Sequence, residues 1–234
     1  MKGTLFLIPT TISTDNPTQA LPMGLLEIVD ELEEFIVENI RTTRRFLRSI
    51  GYSKDFDNIS YHLINKHSDS FEMDKALRSL QNGKKVGLFS ESGMPCVADP
   101  GAAVVRQAHL AGIKVKPLSG PSSILMALSA SGFNGQNFAF NGYLPIDAGK
   151  RKNIIRKLEQ RVYQEDQTQI FIEAPYRNNA LFDALVSSCQ SGTWICVASE
   201  ITTGAEFIQS KTVKAWKKSK PNLHKKNTVF LLYK

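Results

Sequence analysis

Two loops rich in glycine, serine and proline each follow an apolar run that is typical of a buried strand. The first, residues 90–101, begins Ser-Glu-Ser-Gly-Met-Pro, and the second, residues 119–123, reads Ser-Gly-Pro-Ser-Ser. Ligands of open α/β sheets bind at the carboxyl ends of the strands, where glycine lets the backbone approach closely. Glu91 can accept hydrogen bonds from ribose hydroxyls or an ammonium group, whereas Ser122 and Ser123 suit an anionic group. Ordinary turns favour the same residue types, so the pattern alone leaves both interpretations equal.

Four arginines recur at positions i, i+3, i+4 and i+7 of a predicted helix and therefore share one helix face. They are Arg41, Arg44, Arg45 and Arg48. Such a cationic face can hold the phosphates of a nucleic acid. The alternative is an ordinary solvated face, which is the commoner origin of a charged stripe.

A further polar group, Glu173, Tyr176 and Arg177, follows another apolar run. In one interpretation, Glu173 and Arg177 line a cleft and orient a substrate or a cofactor. In the other, the group is a solvated turn held by a Glu–Arg pair. The residues alone favour the solvated turn.

The histidines and cysteines do not have the spacing of metal ligands or of a catalytic triad, so we predict no metal site. These residues are His62, His67, His109, His224, Cys96, Cys189 and Cys196. Cys189 and Cys196 are interpreted as buried small hydrophobic residues, which fits a reducing compartment.

Composition limits the class of protein. The 234 residues permit one large or two small domains, and a hydrophobic content of 42% suffices for a packed core, which argues against disorder. The net charge of +7 permits an anionic partner such as nucleic acid without requiring one. The apolar run at residues 5–9 is too short for a signal peptide or a membrane span, so we predict a cytoplasmic protein without membrane attachment.

Hydrophobic periodicity places these residues on elements of an α/β protein. In the first half, strands are predicted at residues 4–8, 35–37, 59–64, 85–90 and 113–118. Helices are predicted around residues 25–32, 41–50, 71–82 and 102–111. The β-loop-α-β unit at residues 85–118 implies parallel strands joined by a right-handed crossover.

The second half has a different character. Strands are predicted at residues 138–141, 169–172, 194–199, 206–211 and 228–233, with helices at 122–131, 152–160 and 179–189. The last strands follow one another closely, which indicates an antiparallel or mixed sheet. We therefore predict two domains, a mostly parallel α/β domain at residues 1–118 and a mixed-sheet α+β domain at residues 119–234.

Five motifs in order carry a resemblance to a known family. They are SESGMPCVADPG, PLSGPSSILMALSASG, FAFNGYLP, IFIEAPYR and VASEIT. Their order and spacing over about residues 85–205 are similar to those of the tetrapyrrole methylase superfamily, nearest to the branch that methylates the ribose 2′-oxygen of cytidine in small-subunit ribosomal RNA. Five ordered motifs are a specific signal, unlike a single glycine loop.

The resemblance implies a two-domain tetrapyrrole-methylase-like fold that binds S-adenosylmethionine in the cleft between the domains, usually as a homodimer. The cofactor contacts implied by position are Ile12, Glu91, Met94, Ser122, Ser123, Glu173, Ala198 and Thr228. Small-subunit RNA is the implied partner, with Arg177 and the cationic stripe, Arg41, Arg44 and Arg48, as candidate substrate contacts. Glu173 is the candidate catalytic base, because a ribose hydroxyl has a high pKa and its attack benefits from a nearby base.

The chain departs from the family pattern at four places. The glycine of the Pro-Ile-Gly-Asn turn is absent, because residues 9–12 read Pro-Thr-Thr-Ile. Glu38-Asn39 replaces a Glu-Asp pair, Glu91 replaces an aspartate, and Lys226-Asn227 replaces Gly-Glu. Two alternatives therefore stay open. One is a methyltransferase of a small molecule such as a tetrapyrrole precursor, and the other is a non-catalytic binding protein that retains the fold.

Overall fold

The computed structural model describes residues 1–13, 21–64 and 70–234, so His67 lies outside the described residues. The chain forms two compact units, residues 1–122 and 123–234. The sequence-based boundary, after Leu118, falls in the same connecting loop.

The first unit is built on a five-stranded parallel sheet. In chain order its elements are β1 (Thr4–Ile8), α1 (Leu25–Asp30), β2 (Glu34–Val37), α2 (Ile40–Ser49), β3 (Ser60–Leu63), α3 (Ser70–Gln81), β4 (Lys85–Phe89), α4 (Ala102–Leu110) and β5 (Lys114–Pro117). The strand order is β3-β2-β4-β1-β5, and every neighbouring pair is parallel. The parallel sheet predicted from the 85–118 segment is confirmed, as are all nine elements of this half.

Both faces of this sheet are buried, as parallel sheets require. Successive side chains of a strand point to opposite faces. Accordingly, Leu5 packs in one hydrophobic cluster with residues of α3 and α4, whereas Phe6 and Ile8 pack in another with residues of α1 and α2. The carboxyl ends of the strands therefore lie at one edge of a rigid layer.

The second unit is built on a mixed sheet. Its elements are α5 (Ser123–Ser131), β6 (Phe138–Tyr143), α6 (Ala148–Glu165), β7 (Thr168–Ile172), a short 3₁₀ helix (Pro175–Arg177), α7 (Asn178–Ser188), β8 (Trp194–Ser199), β9 (Phe207–Thr212), α8 (Val213–Trp216) and β10 (Thr228–Tyr233). The strand order is β6-β7-β10-β8-β9. β6 and β7 are parallel, and the other neighbours are antiparallel. The predicted mixed sheet is confirmed.

Two elements of this unit differ from the prediction. Helix α6 is longer than the predicted 152–160, because Asp147 caps its start by accepting a hydrogen bond from the Lys150 amide at 2.8 Å. Helix α8 was not predicted, since a single turn is too short to show periodicity. A tertiary contact holds this helix against the core, because Trp216 Nε1 donates a hydrogen bond to the carbonyl of Ile195 at 2.9 Å.

Candidate cofactor and substrate sites

Three loops of the first unit meet at the carboxyl edge of its sheet. They follow β1, β4 and β5, which are neighbours in the sheet. The backbone amide of Thr10 donates to the carbonyl of Gly93 at 3.0 Å, and the Thr10 hydroxyl donates to the carbonyl of Ser90 at 3.3 Å. These bonds join the loop after β1 to the loop after β4.

Two glycines allow this close approach. Gly93 has a φ of +73°, which residues with a side chain rarely adopt, and a Cβ there would lie 3.0 Å from Ile12 Cγ2. A Cβ on Gly120 would lie 2.1 Å from the Cβ of Pro9 and 3.4 Å from the sulfur of Met94. The structure thus brings the loops of Ile12, Glu91 and Met94 against the loop that ends at Ser122, and Ser123 begins α5 of the second unit.

The missing family glycine does not distort this edge. Thr11 stands at its position and does not have a positive φ. Thr10, the residue before it, is buried and uses its hydroxyl within the edge. The departure therefore places polar side chains where the family has Ile and Gly, in a turn that needs no left-handed residue at position 11.

Helix α2 joins the same edge. Asn39 caps the helix, since its side-chain oxygen accepts hydrogen bonds from the amides of Arg41 and Thr42 at 2.9 and 3.4 Å. Asn and Asp are nearly equivalent caps, which explains why Asn can replace the family aspartate. The hydroxyl of Thr42 lies 2.7 Å from Glu91 Oε1, so it holds one oxygen of the predicted cofactor contact.

An acidic pair that the motifs did not reveal lies beside these residues. Glu38 and Asp99 are close enough for their charges to interact, and both line a small pocket with apolar residues of β2 and β4. Burial raises the pKa of Glu38, and the charges of Asp99 and Glu91 raise it further. No local signal could have found this pair, because its members lie after different strands.

The arginine stripe divides into two parts. Arg44 is half-buried, donates to the carbonyl of Phe56 at 3.3 Å, and lies with its guanidinium carbon 5.3 Å from the ring centre of Tyr61. Arg48 lies 5.0 Å from the ring centre of Phe56. Arg41, Arg45 and Arg48 are exposed, and only Arg44 of the four is partly buried. Two of the four predicted cationic side chains are therefore packed on aromatic rings.

In the second unit, Glu173 and Arg177 form a closely bonded pair. The Glu173 side chain is fully buried, and its Oε1 accepts hydrogen bonds from Arg177 Nη2 at 2.6 Å, from Arg177 Nε at 3.0 Å and from the Ala174 amide at 2.7 Å. This bonding raises the pKa of Arg177. The other oxygen, Oε2, is buried and has no hydrogen-bond partner in the part of the chain that the structure describes.

Thr228 and Ala198 lie at the same end of the mixed sheet as Glu173. Val229 pairs with Ile172 on one side and with Ala198 on the other, so Thr228 starts β10 beside the end of β7. The Thr228 hydroxyl lies 3.1 Å from that of Ser199. Ala198 is fully buried in β8. The structure thus gathers Glu173, Ala198 and Thr228 at one end of the mixed sheet.

Residues 1–13, 21–64 and 70–234 contain neither a metal-binding cluster nor a membrane-spanning helix. Within them there is no group of three His, Cys, Asp or Glu residues that could hold a metal ion. No helix in these ranges is long and apolar enough to cross a membrane. Cys189 and Cys196 are buried, as predicted, and burial raises the pKa of Cys196 to about 11.

Comparison with known proteins supplies the family. The model of the tetrapyrrole (corrin/porphyrin) methylases matches residues 21–215. The ribosomal RNA small subunit methyltransferase I of Escherichia coli O157:H7 is 28% identical over 99% of this chain and 78% of its own length. The protein of the same name from Haemophilus influenzae is 29% identical over 99% of this chain and 79% of its own length.

Solved structures share the fold. The methyltransferase CobJ has a TM-score of 0.64 at 18% identity, over 99% of this chain and 93% of its own. The cobalamin biosynthetic enzyme CbiF, a cobalt precorrin-4 methyltransferase, has a TM-score of 0.62 at 14% identity, over 98% of this chain and 94% of its own. The chain therefore belongs to the tetrapyrrole methylase family, as its motifs predict, and is an S-adenosylmethionine-dependent methyltransferase.

Proposed function

We propose that this enzyme methylates a ribose 2′-hydroxyl of small-subunit ribosomal RNA. The observation that carries the proposal is the similarity to ribosomal RNA small subunit methyltransferase I, which extends over 99% of the chain. The surplus of basic residues, 29 against 22 acidic ones, supports a polyanionic substrate.

The proposed cofactor contacts fall into two groups, one on the three-loop edge of the first unit and one in the second unit. Its residues are Ile12, Glu91, Met94, Ser122, Ser123, Glu173, Ala198 and Thr228. The first group fits S-adenosylmethionine, because Gly93 and Gly120 let the three loops pack together at the strand ends and exposed Glu91 offers a carboxylate for ribose hydroxyls or the ammonium group. When bound, the cofactor supplies an activated methyl group on a positively charged sulfur.

In this proposal the protein contributes position and proton transfer. Glu173 Oε1 is already occupied by Arg177, whereas Oε2 is buried and unpaired among the described residues, so Oε2 is the atom that would accept the proton of the substrate hydroxyl. Arg177, which is protonated at any working pH, keeps the Glu173 carboxylate oriented through its two hydrogen bonds to Oε1. Arg177 is also the proposed contact to substrate from this unit, and exposed Arg41 and Arg45 are the proposed phosphate contacts of the stripe. Arg44, half-buried against the ring of Tyr61, and Arg48, exposed beside the ring of Phe56, are the further proposed phosphate contacts of the stripe.

We further propose that the enzyme acts in the cytoplasm, where small subunits are assembled, and that it has the homodimeric state implied by the family motifs. Sedimentation at micromolar concentration measures the oligomeric state. A single species with the mass of one 26.1 kDa chain would contradict the dimer and leave the activity untouched.

The activity is tested by transfer of labelled methyl groups from S-adenosylmethionine to small ribosomal subunits that lack the modification. The methylated nucleotide is then mapped, and fully modified subunits serve as the control. We expect label in one ribose of the unmodified RNA and none in the control. Cofactor binding without methylation of RNA would contradict the proposed substrate. Transfer of the labelled methyl group to an added tetrapyrrole precursor would instead identify a small-molecule substrate.

A further inference from the structure

The positive charge of this chain is concentrated near residues 207–234. This segment contains eight lysines and neither aspartate nor glutamate. The remaining residues, 1–206, contain the other 21 of the 29 lysines and arginines and all 22 aspartates and glutamates. The net charge of +7 is therefore located in this segment, and the rest of the chain is close to neutral.

Half of these lysines are available at the surface. Lys214, Lys217, Lys218 and Lys225 are exposed, and none of the four forms a salt bridge with any described residue. Two others are neutralised, since Lys220 pairs with Asp183 and Lys234 pairs with Asp166, each at 2.7 Å. Three of the four available lysines lie close together, on α8 and the two residues that follow it.

The lysine-rich segment is attached to the turn that carries Tyr176. The amide of Lys225 donates to the carbonyl of Pro175 at 3.0 Å. The side-chain nitrogen of Asn178, a fully buried residue, donates to the carbonyl of Lys226 at 2.6 Å. Of the four available lysines, Lys225 therefore lies beside the 3₁₀ helix Pro175–Arg177. Lys214, Lys217 and Lys218 lie near the other end of α7, where the Lys214 amide donates to the carbonyl of Ser191 at 3.0 Å. The segment between them runs along α7, since Lys220 pairs with Asp183 and the Leu223 amide donates to Asn179 Oδ1 at 2.8 Å.

Two tyrosines of this region expose their rings. Tyr176 is 64% exposed and Tyr143 is 62% exposed. The Tyr176 ring is held in place, because Arg177 lies 5.1 Å from its centre and donates to its hydroxyl at 3.0 Å. Tyr143 ends β6 beside Ile172, and its phenol is close enough to raise the pKa of Arg177, a smaller effect than that of Glu173. A fixed exposed ring loses little conformational entropy when a base stacks on it.

We propose that these two features form one binding surface for single-stranded RNA, which we call the lysine–tyrosine surface: Lys214, Lys217, Lys218 and Lys225 with Tyr143 and Tyr176. It rests on the proposed function, since it names how the RNA is held. The strand follows α7, so that the lysines bind phosphates at intervals from α8 to Lys225, and the tyrosine rings stack with unpaired bases at the Lys225 end. Exposed rings beside available cations are the combination that single-stranded nucleic acids require. In duplex RNA the bases are already stacked on one another, so the rings add nothing there.

Fluorescence anisotropy of the full chain with a labelled single-stranded RNA of about twelve nucleotides tests this surface. Replacing Lys214, Lys217 and Lys218 together with Gln should lower the slope of log affinity against log salt by about 0.7 for each phosphate that is no longer bound. The matched control replaces three exposed lysines of α6, Lys150, Lys152 and Lys157, with Gln. This control makes the same change of charge and should leave binding near that of the parent.

Tyr176→Leu should weaken binding of the single strand by roughly 5- to 100-fold at unchanged salt slope, because stacking carries no counterion release. Tyr176→Phe retains the ring and should bind within about twofold of the parent. Thermal melting of each variant verifies the fold. Equal weakening in the α6 control, parental affinity in Tyr176→Leu, or tighter binding of polyaspartate than of RNA would each overturn the lysine–tyrosine surface.

Methyl transfer to small subunits separates this inference from the proposed function. A parent enzyme that binds RNA through the surface but methylates no small-subunit RNA contradicts only the function. A parent that methylates, together with variants that bind and methylate equally well, contradicts only the surface.

Discussion

The hydroxyl of Thr42 and the carboxylate of Glu91 lie 2.7 Å apart, which ties helix α2 to the loop that follows β4. The two residues come from segments with separate predicted roles, a cationic helix and a glycine loop. One oxygen of Glu91 is thereby held in place and the other stays available to a ligand. The helix therefore helps to position a proposed cofactor contact.

Replacing Thr42 with Val tests this connection. The variant loses the hydroxyl while keeping the shape of the side chain, so Glu91 becomes free to rotate. Because one hydrogen bond contributes about 0.5–1.5 kcal/mol, we expect the affinity for S-adenosylmethionine to fall by roughly 2- to 10-fold in calorimetry. Thr42→Ser, which keeps the hydroxyl, should bind like the parent. Equal affinities in all three proteins would remove Glu91 from the proposed site.

Gly120→Ala should disrupt the three-loop edge. Its new methyl group would lie 2.1 Å from Pro9 Cβ, so one of the two loops must move. We expect at least a roughly tenfold decrease of cofactor affinity, equivalent to about 1.4 kcal/mol. Gly135→Ala is the matched control, because a Cβ there meets no atom within 4 Å. Parental affinity in a folded Gly120→Ala protein would show that the cofactor does not depend on this edge.

Asn39→Ala should destabilise the first unit by removing the cap of α2. Loss of such a cap costs about 1 kcal/mol, measured as a decrease in the free energy of unfolding in urea. Asn39→Asp keeps an acceptor oxygen and should differ from the parent by less than about 0.5 kcal/mol. If Asp destabilised as strongly as Ala, the capping account of this family departure would be wrong.

The arginine stripe should separate into structural and exposed members. Arg44→Gln can no longer place a guanidinium on the rings of Tyr61 and Phe56, which should lower the free energy of unfolding by about 1 kcal/mol. Replacing exposed Arg41 and Arg45 with Gln should leave stability unchanged. If these two bind phosphates, the salt slope of RNA binding falls by about 0.7–0.9 for each phosphate released. An unchanged salt slope would show that Arg41 and Arg45 do not bind phosphates and that RNA binds elsewhere on the protein.

Glu38 should make stability depend on pH. Its pKa is raised in the folded protein by burial and by Asp99 and Glu91, so the fold favours its protonated form. The contribution is complete below the ordinary pKa of 4.5 and disappears as the pH rises through the raised value. The parent should therefore lose stability relative to Glu38→Gln as the pH rises from about 4 to about 7, seen as a widening difference in melting temperature. A constant difference across this range would contradict the shift.

A helix or strand could be predicted from the sequence where its apolar run or helical periodicity lies entirely within that one element. β8 and β10 have the predicted bounds, because each is a continuous apolar run long enough for a strand. Helix α8 was missed because Val213 and Trp216 are the only buried residues of a single turn in a lysine-rich segment. The order of strands in either sheet depends on long-range packing, which no local pattern contains.

The residues of the candidate site also divide into those that a local motif predicts and those that only the fold brings together. Motifs marked the loops of Glu91 and Ser122, since glycine and serine at strand ends have a recognisable composition. They did not identify Thr42 as the partner of Glu91 or Asp99 as the partner of Glu38, because each pair joins different elements. The charge of the lysine–tyrosine surface was visible in the sequence as a long stretch without acidic residues, but the path of this stretch along α7, which brings Lys225 beside the turn of Tyr176, depends on the fold.

The placement of β10 has a consequence for biosynthesis. This strand occupies the middle of the mixed sheet, between β7 and β8, although it follows every other strand of that sheet in the chain. The first unit has all its strands once residue 117 has been made, so it can fold while translation continues. The second unit must wait for residues 228–233, and until then the edges of β7 and β8 lack their partner. During synthesis, nascent chains should therefore carry a folded amino-terminal half and an aggregation-prone carboxyl-terminal half that holdase chaperones can recognise.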